Sequence, residues 1–185
     1  RGAQLSRGRV EPADGTLICP YHGWRFAGSG DCVHLPAHPD QTPPARAAAV
    51  AYRVRAEYGL IWVSLGNPTT DLPLFIEWSD PSFRKVLCGP YHINAAGPRV
   101  IENFLDVAHF PFVHAAYLGD PHHTAVPDYG AEITPAGVIA RDIQVWQPDP
   151  DGSGVGSAVS YTYQALRPLT ARFTKYSGAG EYANF

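Results

Sequence analysis

Two short stretches of this sequence hold residues whose types and spacing could do chemistry. The first is Cys19-Pro20-Tyr21-His22-Gly23-Trp24, a Cys-x-x-His pair among aromatic residues. A thiolate and an imidazole at this spacing supply two of the four ligands that a structural metal centre needs, and such pairs usually come in twos. The pair alone is half of a zinc site or a coincidence. Its setting sharpens the reading. Pro20 fixes φ and removes a donor, while Gly23 permits close backbone approach, so the loop could turn several N–H groups toward a buried anion such as a cluster sulfide.

The second stretch runs from Glu102 to His114 and holds Asn103, Asp106, His109 and His114. On a helix Asn103, Asp106 and His109 fall along one slowly drifting stripe. His114 lies about 140° further round than His109, too far for both imidazoles to grip one ion on an ideal helix. Pro111 removes a hydrogen bond and clashes with the carbonyl of Val107, so the helix is expected to kink or break near Phe110 and swing His114 back. One turn before His109, Asp106 is placed to accept an N–H from a metal-bound imidazole and fix its orientation. Two ordinary, partly buried histidines are the plain alternative.

The elements that position these residues follow from pattern. Up to about residue 65 the chain reads as β structure punctuated by Gly and Pro, with a strand at "GTLICP" and a return through "GWRFAGSGDC". "HLPAHPDQTPPA" is a connecting loop. "AYRVRAEYGLIWVSLG" is a β-hairpin turning at Glu57–Gly59, its second strand expected to be well buried. "NPTTDLPLF" is a linker. A second unit is expected to start with a strand at "KVLCGPYHINA", followed by a helix at "RVIENFLDVAHFPFVHAAYLG", where Val100, Phe104, Val107 and Ala108 recur at helical spacing. From "DYGAEITPAGVIARDIQVWQ" to "SAVSYTYQALRPLTARFTKYS" the pattern alternates like antiparallel strands, with "PDPDGSGVGS" an exposed hairpin loop.

Composition narrows the classes. With 185 residues, 45% apolar and 17% charged, the chain can bury a core as one or two domains. A formal charge of −3 gives no electrostatic case for nucleic acid or an anionic membrane. No stretch approaches the roughly 20 apolar residues of a membrane span. Three widely spaced cysteines do not make a disulfide scaffold, and Cys32 and Cys88 read as core thiols. The absence of Met and the opening Arg1-Gly2-Ala3 read as an internal portion of a longer protein, which leaves targeting open. His34, His38, His92, His122 and His123 read as solvated or structural imidazoles.

"CPYHGWRF" resembles the second ligand loop of the Rieske iron–sulfur domain, and "RGA" at the start resembles the tripeptide that follows that domain's first Cys-x-His. "ENFLDVAHFPFVH" resembles the Asn-x-x-Asp-x-x-His-x-x-x-x-His motif of Rieske non-haem iron oxygenases at every position. The resemblance is to the alpha (terminal oxygenase) subunit of the aromatic ring-hydroxylating family. It implies an α+β chain: a partial Rieske all-β domain over residues 1–70, then a partial helix-grip (START-like) catalytic domain with an antiparallel sheet over 71–185. It implies a [2Fe-2S] cluster bound through Cys19 and His22, and a mononuclear Fe(II) bound through His109 and His114. The third iron ligand, a carboxylate, is expected beyond Phe185. Two imidazoles in place of two thiolates put such a cluster at roughly −150 to +300 mV, against about −400 mV for an all-thiolate one.

The resemblance further implies that Asp106 links His109 to His22 of a neighbouring protomer in a homotrimer, with Asn103 supporting the site. A flavin or ferredoxin reductase would draw electrons from NAD(P)H, and O₂ and a small aromatic or related organic substrate would meet at the iron. The outcome would be hydroxylation, dihydroxylation or oxidative demethylation. The style of the hairpin and of "FPFVH" leans toward phthalate-, vanillate- or phenylpropionate-type single-component oxygenases. A bacterial, cytoplasmic protein with no nucleic-acid or membrane partner is expected. The rivals are a Rieske electron carrier, which residues 102–114 speak against, and a zinc-binding or non-catalytic relative.

Overall fold

Turns rather than long strands organise the first part of the chain. The computed structural model describes residues 2–178 and 180–185. The chain divides into two units, one ending at Asp71 and the other running from Leu72 to Phe185. In the first, β1 (Arg9–Val10), β2 (Leu17–Ile18), β3 (Arg25–Phe26) and β4 (Cys32–His34) pair antiparallel in that order. Strands this short depend on their turns. Before β2, Thr16 donates its hydroxyl (2.7 Å) and its backbone N–H (3.0 Å) to Asp14 Oδ1, an Asx turn that holds the Asp14 carboxyl below the usual carboxylate range. Between β3 and β4, Gly30 has φ +94°, and a Cβ there would stand 2.1 Å from the carbonyl oxygen of Ala49. Ile18, Cys32 and Leu35 form the buried apolar centre of this unit.

The hairpin that follows pairs β5 (Arg53–Glu57) with β6 (Leu60–Ser64) through Tyr58 and Gly59, both at positive φ, the two-residue turn whose twist suits a hairpin. The expectation that one of its strands is well buried fails. Leu60, Ile61 and Val63 are all at least half exposed, because no second layer among the described residues covers either face.

The second unit is built on a five-stranded antiparallel meander, β7 (Ala131–Thr134), β8 (Gly137–Gln147), β9 (Ser157–Arg167), β10 (Thr170–Tyr176) and β11 (Glu181–Asn184), neighbours in chain order. Alternation puts Ile143, Val145 and Gln147 of β8 and Val159, Tyr161 and Tyr163 of β9 inside. A bulge adds one residue to β8: Ala140 pairs with Tyr163 and Ile143 with Tyr161, and Asp142 takes φ +58°. Three helices accompany the sheet: α1 (Ile76–Ser79), α2 (Gly97–Leu105) and α3 (Phe110–Val113). The ion pair of Glu77 with Arg172 of β10 is buried, the Arg172 guanidinium also lies 5.7 Å from the Phe75 ring centre, and Phe75 stacks on Phe185. The second carboxylate oxygen of Glu77 is buried without a partner among the described residues.

Other expectations need correction. Residues 85–95 form no strand: Gly89 and Pro90 interrupt the run, Pro90 cannot donate to a ladder, and Val86, Leu87, Tyr91 and Ile93 are exposed. Cys88 lies in this stretch and is exposed, not a core thiol, whereas Cys32 is buried. Of the expected kink or break near Phe110 the chain takes the break: α2 ends at Leu105 and α3 starts at Phe110. Asp106 closes α2 with ψ 126°, and Pro111 is the second residue of α3, in the first turn where its missing N–H costs nothing.

Candidate metal centres

The Cys19 loop is fixed by its backbone. It leaves β2 and returns into β3, with the Cys19 N–H donating to Trp24 O (2.8 Å) and the Gly23 N–H to Cys19 O (3.0 Å). Gly23 holds φ +69° and lies against Pro36, whose Cγ would stand 3.2 Å from an added Cβ. Any side chain here would strain the loop as well as crowd it. Cys19 is half-buried and His22 exposed, so the loop shows one thiol and one imidazole on a rigid frame. The His22 ring packs against the Tyr21 ring, with centres 3.9 Å apart. Among the described residues no group of three or more His, Cys, Asp or Glu could hold a metal ion, so the loop offers a pair of ligands. A thiolate and an imidazole are the mixed donor set of an iron–sulfur centre ligated by both, and they fit one half of it. Cys32 is not part of this loop; its Sγ faces His34 O at 3.6 Å.

The second pair flanks α3, and the break after α2 sets Asp106 against the first of its histidines. Asp106 accepts the Ala108 N–H on Oδ1 (2.8 Å) and faces His109 Nδ1 with Oδ2 (3.0 Å). One carboxylate therefore ends the first helix and aims the imidazole that begins the next. With Nδ1 carrying its proton toward the carboxylate, the Nε2 lone pair of His109 is left for a metal. His109 and His114 cap the two ends of α3, and their ring centres lie 5.0 Å apart. The two imidazoles are thus brought together across the single turn of α3, which they flank.

Packing secures this arrangement. Val107 and Phe110, which directly follow Asp106 and His109, belong to the core cluster with Ile143, Val145, Val159, Tyr161 and Tyr163. Each polar residue is held by an apolar successor, and Phe110 meets Tyr161 edge-on at 6.1 Å. Pro111 is fully buried, and Gly119 lies so close that a Cβ there would stand 2.6 Å from Pro111 N. Beneath the site, burial pushes the Tyr163 phenol above its ordinary range, with Tyr161 and the Asp106 carboxylate adding to the effect. A cavity of about 350 Å³ opens beside Asp106, bounded by Val107 on one side and by Val126, Asp128 and Tyr129 on the other.

Asn103 is exposed on the last turn of α2. Its carbonyl accepts the Asp106 N–H at 3.4 Å, and its side chain makes no hydrogen bond among the described residues. Two residues of this neighbourhood were not legible as contributors. Gly119 gave no signal beyond being a glycine after "AYL". His123, among the imidazoles read as solvated or structural, is structural: it stacks face to face on Trp146 at 4.1 Å with Asp120 3.7 Å from its Nδ1. Gly156 lies against Trp146, where a Cβ would stand 2.2 Å from the indole.

Comparison with known proteins matches both halves of the chain. Residues 1–51 fit the Rieske [2Fe-2S] domain, and residues 93–179 fit the vanillate O-demethylase oxygenase C-terminal domain. The methylxanthine N1-demethylase NdmA of Pseudomonas putida is 38% identical over 192 residues, covering 100% of this chain and 53% of that protein. The N3-demethylase NdmB of the same species is 37% identical over 131 residues, 69% of this chain and 37% of its own length. Among solved structures, NdmA with caffeine superposes with TM-score 0.81 at 30% identity, over 97% of this chain and 52% of that one. The chain spans about half the length of the full-length relative NdmA.

Proposed function

The chain belongs to the Rieske-type oxygenases, joining a Rieske [2Fe-2S] domain to an oxygenase domain of the vanillate O-demethylase kind, and from that premise we propose that the protein is a terminal oxygenase that oxidatively demethylates or hydroxylates a small aromatic or heteroaromatic compound. The observation that carries this reading is the constellation of Asp106, His109 and His114. A carboxylate oxygen 3.0 Å from one imidazole, with a second imidazole ring 5.0 Å from the first, is what a two-histidine iron site requires. The similarity to two methylxanthine demethylases favours removal of an N-methyl group over ring dihydroxylation.

On this reading Cys19 and His22 hold one side of the cluster, His109 and His114 hold the mononuclear iron, and Asn103 supports the turn that carries Asp106. When bound, the cluster supplies single electrons, and the ferrous iron supplies the place where dioxygen meets the substrate. The residues present do the rest. Asp106 keeps the proton of His109 on Nδ1. Val107 and Phe110 anchor the turn, and the buried Pro111 keeps water from its backbone. Asp106 spends one lone pair of each carboxylate oxygen inside the chain, and its side chain remains 45% exposed. It therefore retains acceptor capacity for a group from outside, which supports a link to His22 of a neighbouring copy in a trimer. A partner reductase drawing on NAD(P)H and a bacterial cytoplasmic location complete the proposal.

The test uses the full-length protein. It should be red-brown, give a Rieske electron paramagnetic resonance signal on reduction, and bind one further iron per chain. Supplied with a reductase and NAD(P)H, it should release formaldehyde in step with a demethylated product from methylated heteroaromatics such as methylxanthines. A colourless protein with stoichiometric zinc would overturn the reading. Hydroxylated product without formaldehyde would leave the oxygenase and remove the demethylase.

A further inference from the structure

The imidazole of His22 stands on a fixed backbone but is itself loosely placed. Its side chain is exposed, and no hydrogen bond reaches its ring among the described residues. An exposed imidazole ordinarily moves between rotamers in picoseconds to nanoseconds. Here the neighbouring ring of Tyr21 lies across it, centres 3.9 Å apart and planes inclined by 40°. Tyr21 is 67% exposed, so it contributes little to any core. Its flanking residues explain how it reaches His22. Pro20 fixes the backbone on one side, and the positive φ of Gly23 turns the chain on the other.

We infer that Tyr21 is a positioning residue for His22, holding the imidazole plane in the orientation that binds metal. The contact needs the ring and not the phenol hydroxyl, which is left to solvent. This rests on the reading of the Cys19–His22 loop as half of the cluster site. Ordering the ligand before metal arrives spares part of the rotamer freedom that binding would otherwise cost. It should also narrow the range of geometries at the cluster once bound.

The full-length holoprotein and its Tyr21→Ala and Tyr21→Phe variants decide the matter. Cluster loss to a chelator, followed by bleaching of the visible absorbance, is expected to be about tenfold faster in Tyr21→Ala, the low end for partners that orient a metal ligand. Its reduced-state paramagnetic resonance lines should broaden. Tyr21→Phe should match the parent in both readouts, and the far-ultraviolet circular dichroism of all three proteins should agree, since an exposed side chain is being changed. Tyr21→Ala with parental line widths and parental cluster loss would overturn the inference, as would Tyr21→Phe failing as badly as Tyr21→Ala. A parent protein without any Rieske signal would instead overturn the cluster reading, and this one with it.

Discussion

Replacing Asp106 separates what its carboxylate does for the fold from what it does for the chemistry. The side chain accepts two bonds, the Ala108 N–H at 2.8 Å and the His109 Nδ1–H at 3.0 Å. Asp106→Ala loses both. The turn bond lies at a half-exposed position, so its loss should cost about 0.5–1.5 kcal/mol in a denaturant melt. Asp106→Asn can keep the turn bond through its amide oxygen and should melt within about 0.5 kcal/mol of the parent. The His109 side differs. An asparagine that spends its oxygen on Ala108 turns its NH₂ toward an N–H donor. The imidazole then either loses its partner or moves its proton to Nε2, the atom needed for metal. Loss of an orienting partner costs tenfold to a hundredfold in affinity or activity. Asp106 is proposed to face a second protomer as well, so a fall in turnover of about a hundredfold or more is expected for both variants, about 2.7 kcal/mol. The assay is single-turnover product formation with iron content and cluster signal measured on the same samples. An Asp106→Asn protein that holds its iron and turns over at the parental rate would refute the reasoning.

Three further changes probe the frame around the site. Gly119→Ala places a Cβ 2.6 Å from Pro111 N, so α3 must shift; stability should fall by about 1–3 kcal/mol, with iron lost at His109 and His114 and the cluster signal unchanged. Arg172→Met leaves Glu77 buried and unpaired, and a loss of about 3–5 kcal/mol is expected; adding Glu77→Leu should recover most of it in the same melt. Asp14 has its folded pKa held below 3.8, chiefly by the Thr16 hydroxyl. Its contribution to stability is therefore complete above that value and fades as pH falls through the folded one. Thr16→Val removes the hydroxyl bond and keeps the backbone one, so an NMR titration should find the Asp14 midpoint part of the way back toward 3.8.

Residue types announced the chemistry more clearly than the architecture. Cys19, His22, His109 and His114 are visible as ligand types at telling spacings, and the Asp106–His109 contact follows from a three-residue interval that a helix and a tight turn both satisfy. How His114 comes near His109 is only half legible, because a proline inside a helical pattern has two outcomes. It can kink one helix or sit in the first turn of another, and the extended ψ of Asp106, which ends α2, decides between them. The apolar run at 85–95 suggested a strand because period and composition say nothing of whether a partner strand exists. The burial of the Leu60–Ser64 strand was overestimated for a related reason, since an apolar face must still find a second layer. Gly119 and Gly156 carry no readable signal at all. Their role is to lack a side chain where Pro111 and Trp146 pass.

The stack of His123 on Trp146 gives the molecule a built-in optical gauge. An imidazole stacked on the indole at 4.1 Å is placed to quench its emission, which should brighten when the imidazole departs. His123 belongs to the same segment, residues 120–130, that supplies one bank of the cavity beside Asp106. With Trp24, Trp62 and Trp78 replaced by Phe, emission from Trp146 would report any movement of that bank away from the sheet without an attached dye.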